Sequence, residues 1–163
     1  MKNTLETAAK AGKYLTFRLA DEEYGVEILK VREIIGLMPV TRVPKTPDFV
    51  RGVINLRGSV IPVVELRSKF GMESVADTNE TCVIVVEIMK QKEPVQIGIL
   101  VDSVSEVIDI AAGDLESTPS FGVELDTQYI LGMAKMKETV KILLNINRVL
   151  TGEELEAIGN SAV

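Results

Sequence analysis

The chain has 163 residues, a formal net charge of −6 at pH 7, a hydrophobic content of 46% and one cysteine, and it contains neither histidine nor tryptophan. The acidic balance opposes unassisted binding to nucleic-acid phosphates or anionic lipid. The lack of histidine excludes Ser-His and Cys-His nucleophile pairs, histidine metal ligands and a phosphohistidine acceptor. We therefore expect a protein that is not an enzyme and that has no catalytic residue, metal site, cofactor or nucleic-acid partner, with catalysis by carboxylates alone left open at this point.

The apolar composition predicts the class of fold. Aromatic residues make up only 4% of the chain, so valine, isoleucine and leucine must build the core, and the branched side chains favour strands. No apolar run approaches the roughly 20 residues that span a bilayer. Met1–Lys13 lacks the apolar stretch of a secretion signal, and one cysteine cannot form an internal disulfide. The sequence thus predicts a mainly β, soluble protein of a bacterial-type cytosol.

The first elements in chain order are a hairpin and an extended segment. Tyr14–Leu19 and Tyr24–Ile28 alternate apolar and polar residues on either side of Asp21-Glu22-Glu23, as two strands joined by a solvated turn do. We therefore interpret the acidic cluster as a turn rather than as a metal or acid/base site. Leu29–Val43 also fits a helical stripe, but prolines interrupt it, so extended chain with bends is expected.

The rest of the chain alternates short apolar runs with turn signals, which is typical of small closed or nearly closed barrels. Pro47–Arg51 predicts one helical turn, and Gly58 separates strands at Gly52–Leu56 and Val60–Leu66. After a polar joint at Gly71–Asn79, further strands are predicted at Cys82–Ile88, Val95–Val101, Ser105–Ile110, Tyr129–Met133 and Thr139–Leu144. A short C-terminal helix is predicted from the apolar residues Ile146, Val149, Leu150, Leu155 and Ile158.

Several stretches of the chain recur, which predicts two similar lobes with a groove at their interface. Gly25–Ile35 lines up with Gly98–Ile108, and Ile61–Phe70 matches Ile142–Leu150 if roughly seven residues are inserted in the second copy. A shorter motif recurs as well, Thr46, Pro47 and Phe49 returning as Thr118, Pro119 and Phe121. We expect one domain at 14–150, with lobes near 14–72 and 78–150 and an exchange of strands between them left open. Tails would occupy 1–13 and 151–163, the second partly helical.

One stretch, Val53–Arg67, places Arg57 between two apolar strands and beside Gly58. It resembles the signature of CheW, a family of chemotaxis coupling proteins. Further matches to the family follow in the same order and spacing, at Glu22–Gly25, Ile28–Val31, Thr41–Pro44 and Val101–Val104. The resemblance covers roughly Tyr14 to Leu150, and Glu65, where family members often have Asp, is a conservative departure.

The resemblance implies two intertwined five-stranded β-barrels of SH3-like or OB-like form, with short helices, and a non-catalytic adaptor role. It implies two partners. One is the histidine kinase CheA, through its regulatory domain, and the other is the cytoplasmic hairpin tip of methyl-accepting chemotaxis receptors, docked between the lobes. The protein would be cytoplasmic, without direct membrane insertion, and recruited to membrane-associated receptor arrays. We expect the free protein to be a monomer.

For the receptor groove, the repeat pairs Val31 with Val104 and Ile34 with Val107, which would place apolar side chains on both walls of one cleft. A receptor helix would insert its apolar face there. The alternative is that these four residues fill a core shared by the lobes. The family resemblance favours the groove.

Arg57 is the main candidate at the edge of that groove, because its planar guanidinium can bridge carboxylates or carbonyl oxygens. Glu33 is its predicted internal partner. The alternative is a purely structural ion pair, whose loss of one member would destabilise the fold.

The kinase contact is predicted at the segment Leu37–Val43 and at the adjoining surface of the lobe. The candidate residues are Val40, Thr41, Arg42, Ile61 and Val63. An ordinary loop with exposed Leu37 and Met38 fits the same pattern.

Other functions compete with this prediction. The nearest are a CheW-like scaffold for a non-chemotactic receptor-kinase pathway and a CheV-like adaptor without its receiver domain. An OB-type nucleic-acid binder is disfavoured by the negative charge and by the lack of stacking aromatics on the strands. A carboxylate hydrolase would need two acids that converge in a pocket.

Overall fold

The computed structural model describes residues 9–117, 129–151 and 153–154, which form two β-sheets with short helical turns. The strands are β1 Gly12–Leu19, β2 Glu22–Glu27, β3 Val31–Gly36, β4 Val50–Leu56, β5 Ser59–Glu65, β6 Cys82–Lys90, β7 Glu93–Val101, β8 Ser103–Ile110, β9 Leu115–Glu116, β10 Ile130–Met136 and β11 Thr139–Leu144. The helical turns are α1 at Leu66–Lys69 and 3-10 turns at Ile28–Lys30, Ala112–Asp114 and Ile146–Arg148. The predicted mainly β fold is confirmed.

The two sheets divide the chain unequally. The five-stranded sheet has the order β3-β6-β7-β5-β4 and lies wholly within Val31–Val101. The six-stranded sheet has the order β8-β1-β2-β11-β10-β9 and takes strands from both sides of that segment. The chain therefore passes between the sheets twice, at Ile28–Lys30, here termed the first crossing, and at Asp102, the second crossing. The predicted lobes at 14–72 and 78–150 do not coincide with the sheets, because each predicted half supplies strands to both.

The sheets share one topology, which is the physical basis of the internal repeat. In each, the third and fourth strands of the order run parallel, β2 with β11 and β7 with β5. The repeated glycines occupy equivalent places in these pairs, Gly25 opposite Leu143 and Gly98 opposite Val63. A Cβ atom on Gly25 would lie 2.9 Å from Leu143 Cδ2, and one on Gly98 would lie 2.6 Å from Val83 Cγ1. The strands approach too closely at both places for a side chain to fit without displacing a neighbour.

The hairpin turns correct one part of the predicted repeat. β4 and β5 turn at Arg57-Gly58, and β10 and β11 turn at Lys137-Glu138. Counting from the turns, Ile61 corresponds to Lys141, not to Ile142 as the sequence match predicted. The match is one residue out at this end because apolar runs align almost equally well in neighbouring registers, whereas the turn fixes the register.

Each sheet curls because the segment after its first edge strand returns to its other edge. In the six-stranded sheet, β9 follows β8 and pairs with β10. In the five-stranded sheet, Thr41 follows β3 and exchanges two hydrogen bonds of 2.8 Å with Val53 of β4. Gly52 permits this closure, since it has a φ of +148° and a Cβ atom there would lie 2.2 Å from Thr41 O. Five strands per barrel were expected, and the two-residue β9 adds a sixth to one sheet.

The largest apolar cluster draws side chains from both sheets and so joins them. Its members include Leu15, Phe17, Val26, Leu144, Ile84, Val86, Ile99 and Val101. A smaller cluster within the five-stranded sheet contains Ile54, Ile61, Val63, Val83, Val85 and Leu100. Another within the six-stranded sheet contains Ala9, Tyr14, Ile110, Ala134 and Leu143. Alternate residues of β6 enter different clusters, and each fully buried side chain of this size stabilises the fold by about 1.5–3 kcal/mol.

Aromatic rings also connect the sheets. Phe17 stacks on Tyr24 with a centroid distance of 5.9 Å, Tyr24 lies 6.1 Å from Phe70, and Phe70 stacks on Tyr129 at 4.7 Å. Phe70 directly follows α1, which lies between β5 and β6 of the five-stranded sheet. The other three rings lie on or beside strands of the six-stranded sheet. The stack thus inserts a ring from one side of the molecule between rings of the other.

Two local predictions change. Pro47–Arg51 is not a helical turn, because Val50 N–H donates to Pro47 O at 2.9 Å to close a tight turn and β4 begins at Val50. Val60–Leu66 is not strand to its end, because β5 ends at Glu65 and Leu66 opens α1.

At the C-terminus, Thr151 and Glu154 form the reciprocal hydrogen bonds of a helix-initiating capping box, at 2.8 and 3.1 Å. The later residues of the predicted C-terminal helix, Leu155 and Ile158, lie outside the described residues. So do residues 1–8 and the second copy of the short repeat, Thr118, Pro119 and Phe121.

Candidate partner-binding surface

Arg57 lies at the tip of the β4–β5 hairpin and reaches across to β3. The two-residue turn has a φ of +51° at Arg57 and +88° at Gly58, as tight hairpins of this hand require. Asn55 Oδ1 accepts the Gly58 N–H at 2.8 Å and secures the turn. The Arg57 guanidinium donates to both carboxylate oxygens of Glu33, with a distance of 3.1 Å from Nη1 to Oε2. The predicted pairing of Arg57 with Glu33 is present, and it joins the tip of the β4–β5 hairpin to the edge strand β3.

This pair is open to solvent. The Arg57 side chain is 71% exposed, and that of Glu33 is 29% exposed. The hydrogen bond from Arg57 lowers the pKa of Glu33, and the same bond raises the pKa of Arg57. Ion pairs so accessible to water contribute little to stability. The exposure therefore argues against a purely structural role for the pair.

The apolar candidates for the groove lie on the edge strands β3 and β8, one from each sheet. Val31 and Val104 are half-buried and pack against the large cluster that joins the sheets. Ile34 and Val107 point outward and are 44% and 49% exposed. Each strand thus offers one residue anchored in the core and one available to a partner, so neither the groove nor the shared-core interpretation describes all four.

The kinase candidates separate into two groups. Ile61 and Val63 are only 3% and 0% exposed, inside the five-stranded sheet. Their predicted place on the lobe surface is wrong, because the hairpin register turns Val60 outward, with 61% of it exposed, and its neighbour inward. The strand alternation counted from Gly58 is the signal that could have shown this.

The segment that closes the five-stranded sheet carries the remaining kinase candidates. Val40 is half-buried against the interior of that sheet. Thr41 is exposed, although its backbone is paired with Val53. Arg42 is exposed and lines a shallow surface pocket formed by residues 42–48 and Val50. In the described part of the chain, Arg42 makes no ion pair.

A charged cluster that the sequence did not single out lies beside the second crossing. Arg67 pairs with Asp102, and Arg51 pairs with Asp77 at 2.5 Å and with Glu65 at 3.4 Å. Partial burial raises the pKa of Asp102, but the hydrogen bonds from Arg67 and from the Ala20 N–H outweigh this, and the pKa lies below its usual value. Asp102 and Arg67 both lie inside stretches that resemble the family, but their separation in sequence gave no reason to pair them.

Other chemistries find little support in the described ranges. The acidic run Asp21-Glu22-Glu23 lies where β1 turns into β2, and its Glu23 pairs with Lys141 and, at 3.5 Å, with Arg18. Within residues 9–117, 129–151 and 153–154, no group of three Asp, Glu or Cys side chains is placed to bind a metal ion. No helix in those ranges is long and apolar enough to cross a membrane.

Comparison with known proteins places these features in a wider context. Residues 13–154 match the family model described as a CheW-like domain. The chain is 41% identical over 150 residues to the chemotaxis protein CheW of Klebsiella aerogenes, covering 92% of this chain and 88% of the relative. It is 32% identical over 158 residues to the chemotaxis protein CheW of Rhizobium meliloti, covering 96% and 99%.

A solved structure agrees in fold. The scaffolding protein TtCheW from Thermoanaerobacter tengcongensis superposes with a TM-score of 0.77 at 33% sequence identity. The match covers 89% of this chain and 97% of that structure. Sequence and fold therefore point to one family over nearly the whole described chain.

Proposed function

The chain belongs to the CheW family, and we propose that it couples the regulatory domain of the histidine kinase CheA to the cytoplasmic tip of methyl-accepting chemotaxis receptors. Its role in chemotaxis is that of an adaptor, which binds and positions partners. The observation that carries the receptor half of the proposal is the exposure, on β3 and at the neighbouring hairpin tip, of both the Arg57–Glu33 pair and the apolar Ile34.

The receptor contact combines both kinds of surface. A receptor-tip helix would lay its apolar face against Ile34 and Val107, while the core-anchored Val31 and Val104 keep the edge strands in place. The guanidinium has five N–H donors, and Glu33 accepts from only two of its nitrogens. Arg57 is thus held in one direction and still has donors for a carboxylate or carbonyl oxygen of the receptor.

The kinase contact uses the closing segment of the five-stranded sheet. Thr41 has both of its ladder hydrogen bonds filled by Val53, so a partner cannot add a strand there and must bind through side chains. Val40, Thr41 and Arg42 offer a small apolar and cationic patch that suits a modest interface. Ile61 and Val63 have no part in it, since they are buried.

In this arrangement the adaptor makes the position of the kinase domain depend on the conformation of the receptor. A receptor rearrangement changes where the kinase domain is held, and several modest contacts bind more tightly together than singly. We expect the free protein to be a monomer that enters receptor arrays through these contacts, which sedimentation of the isolated protein would test.

Calorimetric titration of a receptor-tip fragment tests the receptor site. Arg57→Ala should abolish binding while the melting temperature stays close to that of the wild type, because the pair is exposed. Lys137→Ala is the matched control, since Lys137 is exposed at the equivalent hairpin tip with a φ of +54°. Receptor binding by Arg57→Ala at wild-type strength would remove Arg57 from the site. Loss of binding together with a large fall in melting temperature would favour a structural role.

Titration of the CheA regulatory domain tests the other site. Arg42→Glu should weaken kinase binding and leave receptor binding unchanged. Lys92→Glu serves as the control, because Lys92 is an exposed cation in the β6–β7 turn, with a φ of +69°. Equal kinase affinity for Arg42→Glu and the wild type would exclude Arg42 from the interface.

A further inference from the structure

The second crossing carries a set of hydrogen bonds that the proposed partner contacts do not use. Asp102 Oδ1 lies 2.8 Å from Arg67 Nε, and Asp102 Oδ2 lies 2.6 Å from Arg67 Nη2. The same Oδ2 accepts the Ala20 N–H at 2.8 Å, and Asp102 N–H donates to Arg18 O at 3.1 Å. One residue therefore binds groups from both sides of the molecule. Arg67 follows β5 of the five-stranded sheet, while Arg18 and Ala20 belong to the β1–β2 hairpin of the six-stranded sheet.

The contact between Arg67 and Asp102 is two-pronged and partly shielded from water. Their side chains are only 17% and 26% exposed, much less than that of Arg57. A third donor of the guanidinium, Nη1, binds Glu73 O at 2.9 Å. Two parallel bonds between a guanidinium and a carboxylate fix direction as well as distance. This pair is therefore suited to setting an angle between the elements that carry it.

Those elements lead directly to the proposed receptor groove. Asp102 immediately precedes β8, the strand of Val104 and Val107. Arg67 lies in α1, immediately after β5, and Arg57 lies in the turn that joins β5 to β4. A change at Asp102 would therefore shift one wall of the groove relative to the hairpin that bears Arg57.

We propose that Arg67 and Asp102 are positioning residues for the receptor groove, which fix the orientation of the two sheets without touching the receptor. The inference rests on the proposed function of the groove. A helix that binds between preformed walls loses less conformational freedom on binding than one that must order those walls. Breaking the pair leaves the contact residues in place but makes binding weaker.

The sheet orientation can be measured directly. Spin labels are attached through Glu93→Cys at the start of β7 and Glu138→Cys in the β10–β11 turn, both exposed and on different sheets, in a Cys82→Ser background. Asp102→Asn is the main variant, because an amide oxygen still accepts the Ala20 N–H. Arg67→Gln is the second, which leaves Asp102 untouched. Pulsed electron resonance gives the distribution of distances, and calorimetry with the receptor-tip fragment and the CheA regulatory domain gives the affinities.

Asp77→Asn is the matched control. Asp77 pairs with Arg51 in the same charged cluster, and its side chain is 31% exposed. That pair ties the connector between α1 and β6 to β4, which is in the five-stranded sheet, and the pair does not reach the six-stranded sheet. Its loss should leave the distance distribution and the receptor affinity unchanged.

The expected result is a broader or shifted distance distribution for Asp102→Asn and Arg67→Gln, roughly tenfold weaker receptor binding and unchanged kinase binding. An unchanged distribution in both variants would overturn the inference, and so would a broadened distribution with wild-type receptor affinity. If the wild type binds no receptor fragment, the proposed function and the link to the groove fail together. In that case the distance distribution still decides whether the pair orients the sheets.

Discussion

The two crossings between the sheets occupy equivalent places in the repeat but differ in chemistry. Counting from the repeated glycines, Leu29 in the first crossing corresponds to Asp102 in the second. Leu29 is 84% exposed, whereas Asp102 is held by Arg67 and by the Ala20 N–H. The chain therefore changes sheets with and without an ion pair, through a 3-10 turn at the first crossing and a bend at the second. The pair at the second crossing is an addition to the fold, not a requirement of its topology.

The residue equivalent to Arg67 in the other half of the repeat is Asn147. Arg67 follows the tip of its hairpin at the same spacing as Asn147 follows Lys137. Asn147 makes a neutral hydrogen bond, in which its Oδ1 accepts the Met89 N–H at 3.2 Å. Charge-assisted bonds are about twice as strong as neutral ones. The second crossing should therefore resist bending more than the first.

The largest effect on stability is expected when Asp102 at the second crossing is replaced by leucine, the residue at the equivalent position of the first crossing. Asp102→Leu removes the acceptor of Arg67 and of the Ala20 N–H, and we expect it to lower the free energy of unfolding by roughly 2 to 3 kcal/mol. Urea unfolding of the variant and the wild type would measure this. Equal stability of the variant and the wild type would mean that the contacts of Asp102 do not stabilise the second crossing.

The next largest effects on stability are expected at Gly98 and Gly25, the glycines that precede the two crossings, and the cost of an alanine should differ between them. Gly98→Ala brings a methyl group 2.6 Å from Val83 Cγ1, on a buried β-branched side chain that cannot turn aside. Gly25→Ala meets the end of the more flexible Leu143 side chain at 2.9 Å. We expect Gly98→Ala to cost about 2 kcal/mol and Gly25→Ala about 1 kcal/mol, measured by thermal unfolding of both variants. A reversed order would show that the packing around β11 is the stiffer of the two.

The charge of Asp102 should appear in the pH dependence of stability. Because its pKa in the folded protein lies below the ordinary value of 3.8, its contribution is present above that pH and is lost as the pH falls through the folded pKa. The stability difference between the wild type and Asp102→Asn should therefore be constant near neutral pH and shrink below about pH 4. Unfolding curves of both proteins across this range supply the test. A difference that stayed constant down to pH 2 would contradict the assignment.

Making the first crossing resemble the second should have the smallest effect. Leu29→Asp places a carboxylate on an exposed turn where the residue equivalent to Arg67 is the uncharged Asn147, so the counterpart of the Arg67–Asp102 pair cannot form. We expect a change within about 0.5 kcal/mol in the free energy of unfolding. The double variant Leu29→Asp with Asn147→Arg tests whether an ion pair equivalent to Arg67–Asp102 can form at the first crossing. A gain in stability would show that it can.

Short-range patterns of the sequence predicted much of this fold. Alternation and turn residues located the β1–β2 hairpin and the strands around Gly58, and the internal repeat anticipated that β3 and β8 are equivalent. The predicted Arg57–Glu33 pair is present, although the arginine is 71% exposed at the hairpin tip and not enclosed by the apolar strands on either side of it. These features depend on neighbours in sequence or on a visible repeat.

The rest depended on partners that periodicity does not identify. An alternating strand pattern shows which side is apolar, but not which strand lies beside it, so the sequence leaves open whether the two lobes exchange strands. The apolar character of Ile61 and Val63 does not show by itself that they point inward, and only the strand alternation counted from Gly58 separates them from the exposed Val60. The Arg67–Asp102 pair was not predictable from the sequence, because its two residues are brought together only by the second crossing.

The nesting of the five-stranded sheet within the chain has a consequence for synthesis on the ribosome. All of its strands have emerged once Val101 is exposed, so it can form early. The β1–β2 hairpin is made before that sheet but must wait for β11, because Tyr24 pairs with Ile142, which is far away in sequence. Contacts so distant in sequence form slowly. A nascent chain therefore carries an unpaired edge on β2 until β11 has been synthesised, and this edge is where misassembly between neighbouring chains is most to be expected.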